Sequence, residues 1–413
     1  MTPAGKAGLL RATLTLLAGG AAAQAVPLLL GPLIARLYGP QEFGHFSLFS
    51  ALAANLGVIA CARYEFALPL ARDAEEARDL MALCARVLAA VVLFAAILSL
   101  ALGLGGWLRH WVWLAPAVLA AGLAQWLTMW ATREERFQAL SAARVLQYGG
   151  AAGLQVAAGW VAPVAPSLIA GPMLAGVASA GLLASSAKPF GGWRSLWAVR
   201  RDALLRVAKK HRDFPLLNTP HAFLGALSDS VTLLLIAAWA GDAAVGFWGL
   251  TLRYLKAPAT LVGSAVSQAL YPKLTTAQSP ALARQALRQV MLALSVMAVV
   301  LMLVLMAVGP ALFAYLFGEP WRVTGELARA LSPYIAVHFV AAPLAVVTMA
   351  WGAQAWALRL AVAGQVMFLL ALGLGLFWGG LIAAAWSVSA AMVLYFGFYF
   401  WSLLRWKEIP THA

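Results

Sequence analysis

The stretch "VMLALSVMAVVLMLVLMAV", Val290–Val308, contains no charged residue. A helix needs about 20 mostly apolar residues to cross a hydrocarbon layer about 30 Å thick, so this stretch predicts a membrane span. The whole chain has the same character, since 63% of its 413 residues are hydrophobic and only 11% are charged. A soluble domain carries about 25% charged residues, so the composition predicts an integral membrane protein.

Similar apolar runs occur along the entire chain. Together the predicted spans are Leu9–Leu37, Phe43–Leu70, Leu80–Leu104, Trp111–Ala131, Val145–Val164, Ser167–Ser186, Phe214–Trp239, Val245–Leu270, Val290–Val308, Ala328–Trp351, Ala355–Trp378 and Gly380–Leu404. The runs lack the alternation of polar and apolar residues that a barrel strand needs, and lipid offers no partners for backbone amides. We therefore expect an all-α bundle of about twelve transmembrane helices.

The N-terminal segment has an alternative interpretation. Lys6 and Arg11 precede "LTLLAGGAAAQA", which has the small residues of a cleavable signal peptide. The apolar stretch continues to Leu37, which favours a first spanning helix. Cys61 and Cys84 both lie in apolar runs without His or Cys at metal-ligand spacing, so we expect buried, inert thiols.

The formal charge of +14 comes from basic residues that lie between the apolar runs, mostly in alternate turns. This distribution follows the positive-inside rule and predicts that both termini are cytoplasmic. The scattered arrangement lacks the compact basic face of a nucleic-acid-binding protein, so no nucleic-acid partner is expected. The most basic segment, residues 188–213, separates an N-terminal six-helix lobe, residues 1–187, from a C-terminal six-helix lobe, residues 214–413.

The basic linker allows two interpretations. An apolar stripe beneath its basic residues is typical of a helix that lies on the anionic inner leaflet; it consists of Trp193, Leu196, Trp197, Leu204 and Val207. Alternatively, the linker is a solvated basic loop that only fixes the topology.

The two halves of the chain resemble each other. "YGPQEFGHFSLFSAL" (Tyr38–Leu52) and "AGDAAVGFWGLTLRYL" (Ala240–Leu255) each place two glycines five residues apart before a new span. Six spans repeated in the same orientation imply lobes related by a pseudo-two-fold axis along the membrane normal. The cleft expected between such lobes suits a transporter that works by alternating access.

The residues of these repeats also resemble a known family. "PLLLGPLIARLYGPQEFGHFSLF", "RYEFALPLARDAEEARDL", "AAVGFWGLTLRYLKAPATLVGSAVSQALYPKL" and "LFGEPW" resemble the Wzx-type oligosaccharide flippases. These form the polysaccharide-transporter branch of the multidrug/oligosaccharidyl-lipid/polysaccharide exporter superfamily. The resemblance covers nearly the whole chain, and its loose motifs indicate the family but not the cargo.

The resemblance implies a function. A member would translocate an undecaprenyl-diphosphate-linked oligosaccharide, such as an O-antigen, capsule or exopolysaccharide unit, from the cytoplasmic to the outer leaflet of a bacterial inner membrane. It would be a transporter and not an enzyme, with the bilayer and the cargo as partners. A polymerase and other polysaccharide assembly proteins are further candidate partners. No cofactor is expected.

Two basic residues inside the eighth predicted span are the strongest site candidates. Arg253 and Lys256 lie seven and ten residues beyond Gly246, about 10 and 15 Å into the span at 1.5 Å per residue. Cations at this depth are costly in lipid, so they must face protein or water. They are expected to attract the diphosphate or acidic sugars of the cargo. In the alternative, Asp229 forms an ion pair with Lys256, or serves as a coupling residue.

Three further arginines are weaker candidates for cargo contacts. Arg63 and Arg359 lie near the predicted cytoplasmic interface, where they could catch the lipid diphosphate at entry. Arg36 ends the first span on the outer side, where the positive-inside rule disfavours a cation, and could contact the cargo at release. For each of them the alternative is a side chain that snorkels to the lipid headgroups.

Two other functions would require residues of a different kind. A drug/cation antiporter of the superfamily would need carboxylates in the membrane, but the predicted spans contain only Glu65 and Asp229. A membrane enzyme of polysaccharide assembly would need a positioned carboxylate or histidine on an aqueous loop, and "LFGEPWRVTGE" offers only Glu319 and Glu326. The sequence contains no G-x-x-x-x-G-K-[ST] motif for ATP.

Overall fold

The structure of the protein, a computed structural model, describes residues 20, 23–106, 109–185, 193–276 and 279–406. These residues form helices and turns, and no strand occurs among them. The N-terminal part of the first predicted span, before residue 20, lies outside the described residues, as do residues 188–192 of the linker. The prediction of an all-α membrane fold is confirmed.

The α-helices follow the predicted spans closely. They are α1 (Ala23–Leu37), α2 (Pro40–Val58), α3 (Ala74–Leu104), α4 (Leu114–Arg133), α5 (Phe137–Val145), α6 (Ala151–Val161), α7 (Ala165–Ser185), α8 (Trp193–Trp197), α9 (Arg201–Lys210), α10 (Thr219–Ala240), α11 (Asp242–Thr275), α12 (Pro280–Phe317), α13 (Arg322–Ala341), α14 (Ala345–Ala350) and α15 (Gln354–Leu404). Within the described ranges, seven helical segments are long and apolar enough to cross a membrane, and α11 is not among them.

Two predicted spans have wrong boundaries. The second span was expected to reach Leu70, but α2 ends at Val58 and a separate 3₁₀ helix covers Tyr64–Leu70. The sequence remains apolar there because Ala67 and Leu68 are fully buried inside the protein and do not face lipid. The fifth span was expected to begin at Val145, but it begins with α5 and includes a π-helical turn at Leu146–Gly150.

The chain divides into two compact units, Met1–Leu233 and Leu234–Ala413, and the boundary falls within α10. The core of the first unit includes Leu80, Trp126 and Leu183, together with Cys61 and Cys84. Both cysteines are free and buried, as expected from the sequence. The core of the second unit is formed by residues of α11, α12, α13 and α15, such as Leu287, Phe339 and Leu403.

The basic linker is folded against the first unit. Arg86 of α3 donates hydrogen bonds to the carbonyl oxygens of Leu196, Trp197 and Val199 at 3.2, 3.0 and 3.0 Å, which caps the end of α8. Leu196 and Val207 of the predicted apolar stripe are buried in the core of this unit, whereas 58% of Trp197 is exposed.

The end of the linker is held by a carboxylate. Glu76 of α3 accepts hydrogen bonds from Lys210 at 2.5 Å and from His211 at 2.8 Å. Tyr64 also donates a hydrogen bond to the carbonyl oxygen of Ala208 at 3.4 Å. The start of α10 is therefore anchored to α3 through the residues that precede it.

Two glycines separate the last two spans. Gly379 and Gly380 have non-helical backbone angles, and Gly380 has a φ of 70°, so α15 consists of two helices that form a hairpin. The two arms approach closely at Gly375, because a Cβ atom there would lie 2.3 Å from the Cα atom of Ala384. Small residues of this kind allow membrane helices to pack backbone to backbone.

This contact gives a prediction about stability. Gly375→Ala forces the two arms apart, and overpacking of this kind costs about 1–3 kcal/mol. Thermal unfolding of the purified protein in detergent should therefore show a lower midpoint. Gly373→Ala is the matched control, since no atom lies within 4 Å of a Cβ at that position of the same arm. Equal midpoints for the two variants would contradict the hairpin contact.

Candidate functional site

One face of α11 carries exposed polar residues between positions 253 and 268. Arg253, Thr260, Ser264 and Gln268 are all exposed. Their spacing of seven, four and four residues places them within an arc of about 80° on a helix of 3.6 residues per turn. We call these four residues the α11 polar stripe. It extends about 22 Å along the helix, most of a hydrocarbon layer about 30 Å thick.

The opposite face of α11 is buried and determines the orientation of the stripe. Trp248, Thr251, Leu255 and Ala259 are between 0% and 4% exposed. Thr251 donates a hydrogen bond to the carbonyl oxygen of Thr324 on α13 at 3.3 Å, in addition to its bond within α11. Because the less polar face is used for packing, the polar stripe is left exposed. A membrane helix with this distribution needs water, a polar neighbour or a polar ligand at its exposed face.

The two cations of the eighth predicted span lie at one end of the stripe. Arg253 and Lys256 are one turn apart, and neither side chain has a hydrogen bond or an ion pair among the described residues of the second unit. Arg253 is exposed and Lys256 is half-buried. The prediction that these two residues share a helix face is consistent with this arrangement, and their role in binding stays a prediction.

His338 of α13 lies within electrostatic range of Lys256. Its ring meets Tyr334 and Phe396 edge to face, with ring centroids 5.8 and 6.1 Å apart. The Nδ1 atom is buried and has no hydrogen-bond partner among the described residues. The aromatic contacts indicate a packing role for His338.

The other predicted cargo contacts lie elsewhere in the fold. Arg36 is exposed in the last turn of α1. Arg63 precedes the 3₁₀ helix with a left-handed φ of 64°, and its guanidinium lies 4.6 Å from the centre of the Phe66 ring. Arg359 is exposed near the start of α15, where its Nε atom donates a hydrogen bond to the carbonyl oxygen of Ala355 at 3.3 Å. Within each unit, the structure brings only Arg253 and Lys256 together.

Asp229 is exposed on α10 and belongs to the first unit, whereas Arg253 and Lys256 belong to the second. Among the described residues of its own unit, Asp229 forms no ion pair. A different residue bridges α2 and α10, since Asn55 donates a short hydrogen bond to Ser230 and a second one to the carbonyl oxygen of Ala51 at 2.9 Å. The amide of Asn55 therefore serves helix packing.

Three members of the polar stripe are not among the residues predicted from the sequence: Thr260, Ser264 and Gln268. A signal for them exists in "TLVGSAVSQ", where polar residues recur at intervals of about four between apolar ones. This period places them on one face of a helix. The sequence does not single them out, because residues 245–270 as a whole are apolar enough to be predicted as one membrane span.

Comparison with solved structures places this arrangement in a known fold. The chain is similar to the lipid II flippase MurJ in an inward closed conformation, with 12% identity over 94% of this chain and 87% of that chain and a TM-score of 0.68. It is also similar to an inward-facing multidrug resistance MATE family transporter of the MOP superfamily, with 15% identity over 92% and 94% of the two chains and a TM-score of 0.66. The Vibrio cholerae MATE transporter VcmN in its bent form gives 18% identity, coverage of 96% and 95%, and a TM-score of 0.52. Because these sequence identities are low, the similarities establish a shared fold only.

No curated protein matches the sequence. A family model does match, and it identifies the family and not only the fold. The family model of a polysaccharide biosynthesis protein matches residues 33–325, which include α2 to α12 and the α11 polar stripe. The match covers more than half of the chain, so this protein belongs to the polysaccharide biosynthesis protein family, within the fold shared by the MOP-superfamily transporters.

Proposed function

We propose that this protein is a flippase that moves an undecaprenyl-diphosphate-linked oligosaccharide from the cytoplasmic to the outer leaflet of the bacterial inner membrane by alternating access. The observation that carries this proposal is the α11 polar stripe, which begins with Arg253 beside Lys256 and continues with hydroxyl and amide groups. Cations bind phosphate, and hydroxyl and amide groups bind sugar hydroxyls, so the stripe offers the chemistry that such a cargo needs.

The sign of the charge favours this cargo over a cationic drug. Arg253 and Lys256 have no acidic partner among the described residues of the second unit, so the stripe is positively charged. A cationic drug would be repelled by this face, whereas a diphosphate would be attracted to it. The similarity to the lipid II flippase MurJ supports the same class of cargo.

The remaining predicted residues have proposed roles along the path. Arg63 and Arg359 would contact the diphosphate as it enters from the cytoplasmic leaflet, and Arg36 would contact it on release. Asp229 would serve as a coupling residue. Both termini would be cytoplasmic, and the two six-helix lobes would be joined by the linker at residues 188–213. The protein would act as a transporter and not as an enzyme, with O-antigen, capsule or exopolysaccharide units as candidate cargo.

Substitution of Arg253 tests the proposed site. Charge-assisted hydrogen bonds contribute about 1.5–3 kcal/mol, so Arg253→Ala should reduce transport about 10-fold or more. Arg253→Glu should abolish transport, because the carboxylate repels the diphosphate, and Arg253→Lys should retain part of it. The measurement is the amount of surface glycan in cells that depend on the variant for its export.

A matched control separates the site from general effects of charge. Arg288 is exposed near the start of α12, and Arg288→Ala should leave the surface glycan unchanged. Immunoblots of the membrane fraction must show equal protein levels for all variants. Normal glycan with Arg253→Glu would refute the role of this residue in transport.

The water accessibility of the stripe can be measured directly. Cys61 and Cys84 are only 2% and 0% exposed, so single cysteines can be introduced into the natural chain. Thr260→Cys, Ser264→Cys and Gln268→Cys should react with a charged maleimide, because thiolates form in water. Val299→Cys on α12 is the control, since Val299 is 46% exposed but lies in an apolar run that faces lipid. Stripe cysteines that react as slowly as Val299→Cys would show that the stripe does not border water.

A further inference from the structure

Helix α13 carries a row of charged residues on a face that points away from α11. The span that contains α13 has the largest buried share of the seven candidate spans in the described residues, 67%. Arg322, Glu326 and Arg329 are nevertheless exposed, and their spacing of four and three residues places them on one face. Thr324, which meets α11, lies on another side of the helix. The charged face of α13 is therefore separate from the proposed cargo path.

The charges on this face differ in depth. Arg322 begins α13 and is already satisfied by Glu319, with two hydrogen bonds of 2.9 Å. Glu326 lies about 6 Å and Arg329 about 10 Å further along the helix axis. These two side chains form no ion pair with each other, and the guanidinium of Arg329 has no partner among the described residues of the second unit. An arginine at this depth requires an anionic partner or water.

Arg329 lies near the contacts of α13 with α12 and α15. A Cβ atom on Gly309 of α12 would lie 3.8 Å from the Cβ atom of Arg329, so the absence of a side chain at Gly309 leaves room beside the arginine. On the other side, Ser389 of α15 donates a hydrogen bond of 2.6 Å to the carbonyl oxygen of Ala330. The arginine therefore lies over the junction of α12 and α15, next to uncharged residues of both helices.

An apolar groove begins one turn beyond Arg329. Pro333 follows on the same face of α13 and forms one wall of a groove of about 380 Å³. The other wall is the second arm of α15, with Trp386, Ser389, Ala390, Val393 and Leu394. Leu394 is 74% exposed and Trp386 is 44% exposed, so the groove is open along its side. Its size and apolar lining suit a hydrocarbon chain.

We propose that this face of α13 is a binding site for a phospholipid with a primary amine in its headgroup, of the phosphatidylethanolamine type. From the helix start inward, the face presents a carboxylate at Glu326, a guanidinium at Arg329 and then the apolar groove. Such a phospholipid presents an ammonium group, a phosphate and an acyl chain in the same order along the membrane normal. Glu326 binds the ammonium group, Arg329 binds the phosphate, and the groove holds part of one acyl chain.

The order of the charges selects among headgroups. Phosphatidylglycerol provides the phosphate but no ammonium group, so Glu326 would remain unpaired. Phosphatidylcholine provides a quaternary ammonium group that has no N–H donor and is bulkier, so it pairs poorly with a carboxylate. The additional charge-assisted hydrogen bond to Glu326 should make the amine-containing lipid bind at least about 10-fold more tightly than the other two.

The test is native mass spectrometry of the purified full-length protein with dioleoyl-phosphatidylethanolamine, -phosphatidylglycerol or -phosphatidylcholine added at equal concentrations. The natural protein should retain the ethanolamine lipid preferentially. Glu326→Gln should remove its advantage over phosphatidylglycerol, and Arg329→Gln should reduce binding of all three lipids. Ala390→Trp, which fills the exposed groove, should also reduce binding of all three.

Two further variants make the result specific. Arg322→Gln is the matched control, because this arginine lies on the same face but is already paired with Glu319, and it should keep the natural preference. The double exchange Glu326→Arg with Arg329→Glu keeps both charges but reverses their order, so it should lose the preference. Thermal unfolding without added lipid identifies any variant that is misfolded, and the intact variants decide the question.

Equal retention of the three lipids by the natural protein would overturn the proposal. A preference that survives in both the double exchange and Arg329→Gln would overturn it as well. Binding is measured without transport, so the outcome does not depend on whether the protein is a flippase.

Discussion

A charged or polar group in the hydrocarbon layer needs a partner, because transfer from water to lipid removes its hydration. This constraint explains the position of two arginines of the first unit. Arg86, within α3, and Arg133, at the end of α4, donate hydrogen bonds to backbone carbonyl oxygens of neighbouring segments. Arg133 alone reaches the carbonyl oxygens of Leu68, Ala71 and Asp73 at 3.1, 2.6 and 3.0 Å. The basic residues that predict topology therefore also hold the turns of the first unit together.

The same constraint gives the exposed cations their significance. Arg253 and Arg329 lie within helices, and their side chains have no hydrogen bond or ion pair among the described residues of the second unit. Next to Arg253, hydroxyl and amide groups line α11, and next to Arg329, an apolar groove lies along α13. The first surface suits a sugar linked to a diphosphate, and the second suits a membrane lipid. The two faces would let one unit handle a polar cargo while it remains anchored in the bilayer.

The sequence predicted the helical spans well because hydrocarbon thickness imposes a length that apolar runs reveal directly. It failed at Val58, where α2 ends, because residues buried in protein are as apolar as residues that face lipid. It identified Arg253 and Lys256, since a charge in an apolar run is visible without a structure. The polar stripe and the face of α13 were missed because they depend on which side of each helix is buried. The hydrogen bond between Thr251 and Thr324, which are 73 positions apart in the sequence, fixes which sides of α11 and α13 face each other.

We propose that the protein moves a lipid-linked oligosaccharide without altering it. The most direct measurement uses the purified protein in proteoliposomes that contain a fluorescent polyprenyl-diphosphate-linked oligosaccharide, with a membrane-impermeant quencher added outside. The protein should increase the rate at which the label changes leaflets above that of protein-free vesicles, and the mass of the lipid-linked sugar should stay unchanged. A rate equal to that of protein-free vesicles, or a change in the mass of the cargo, would contradict the account.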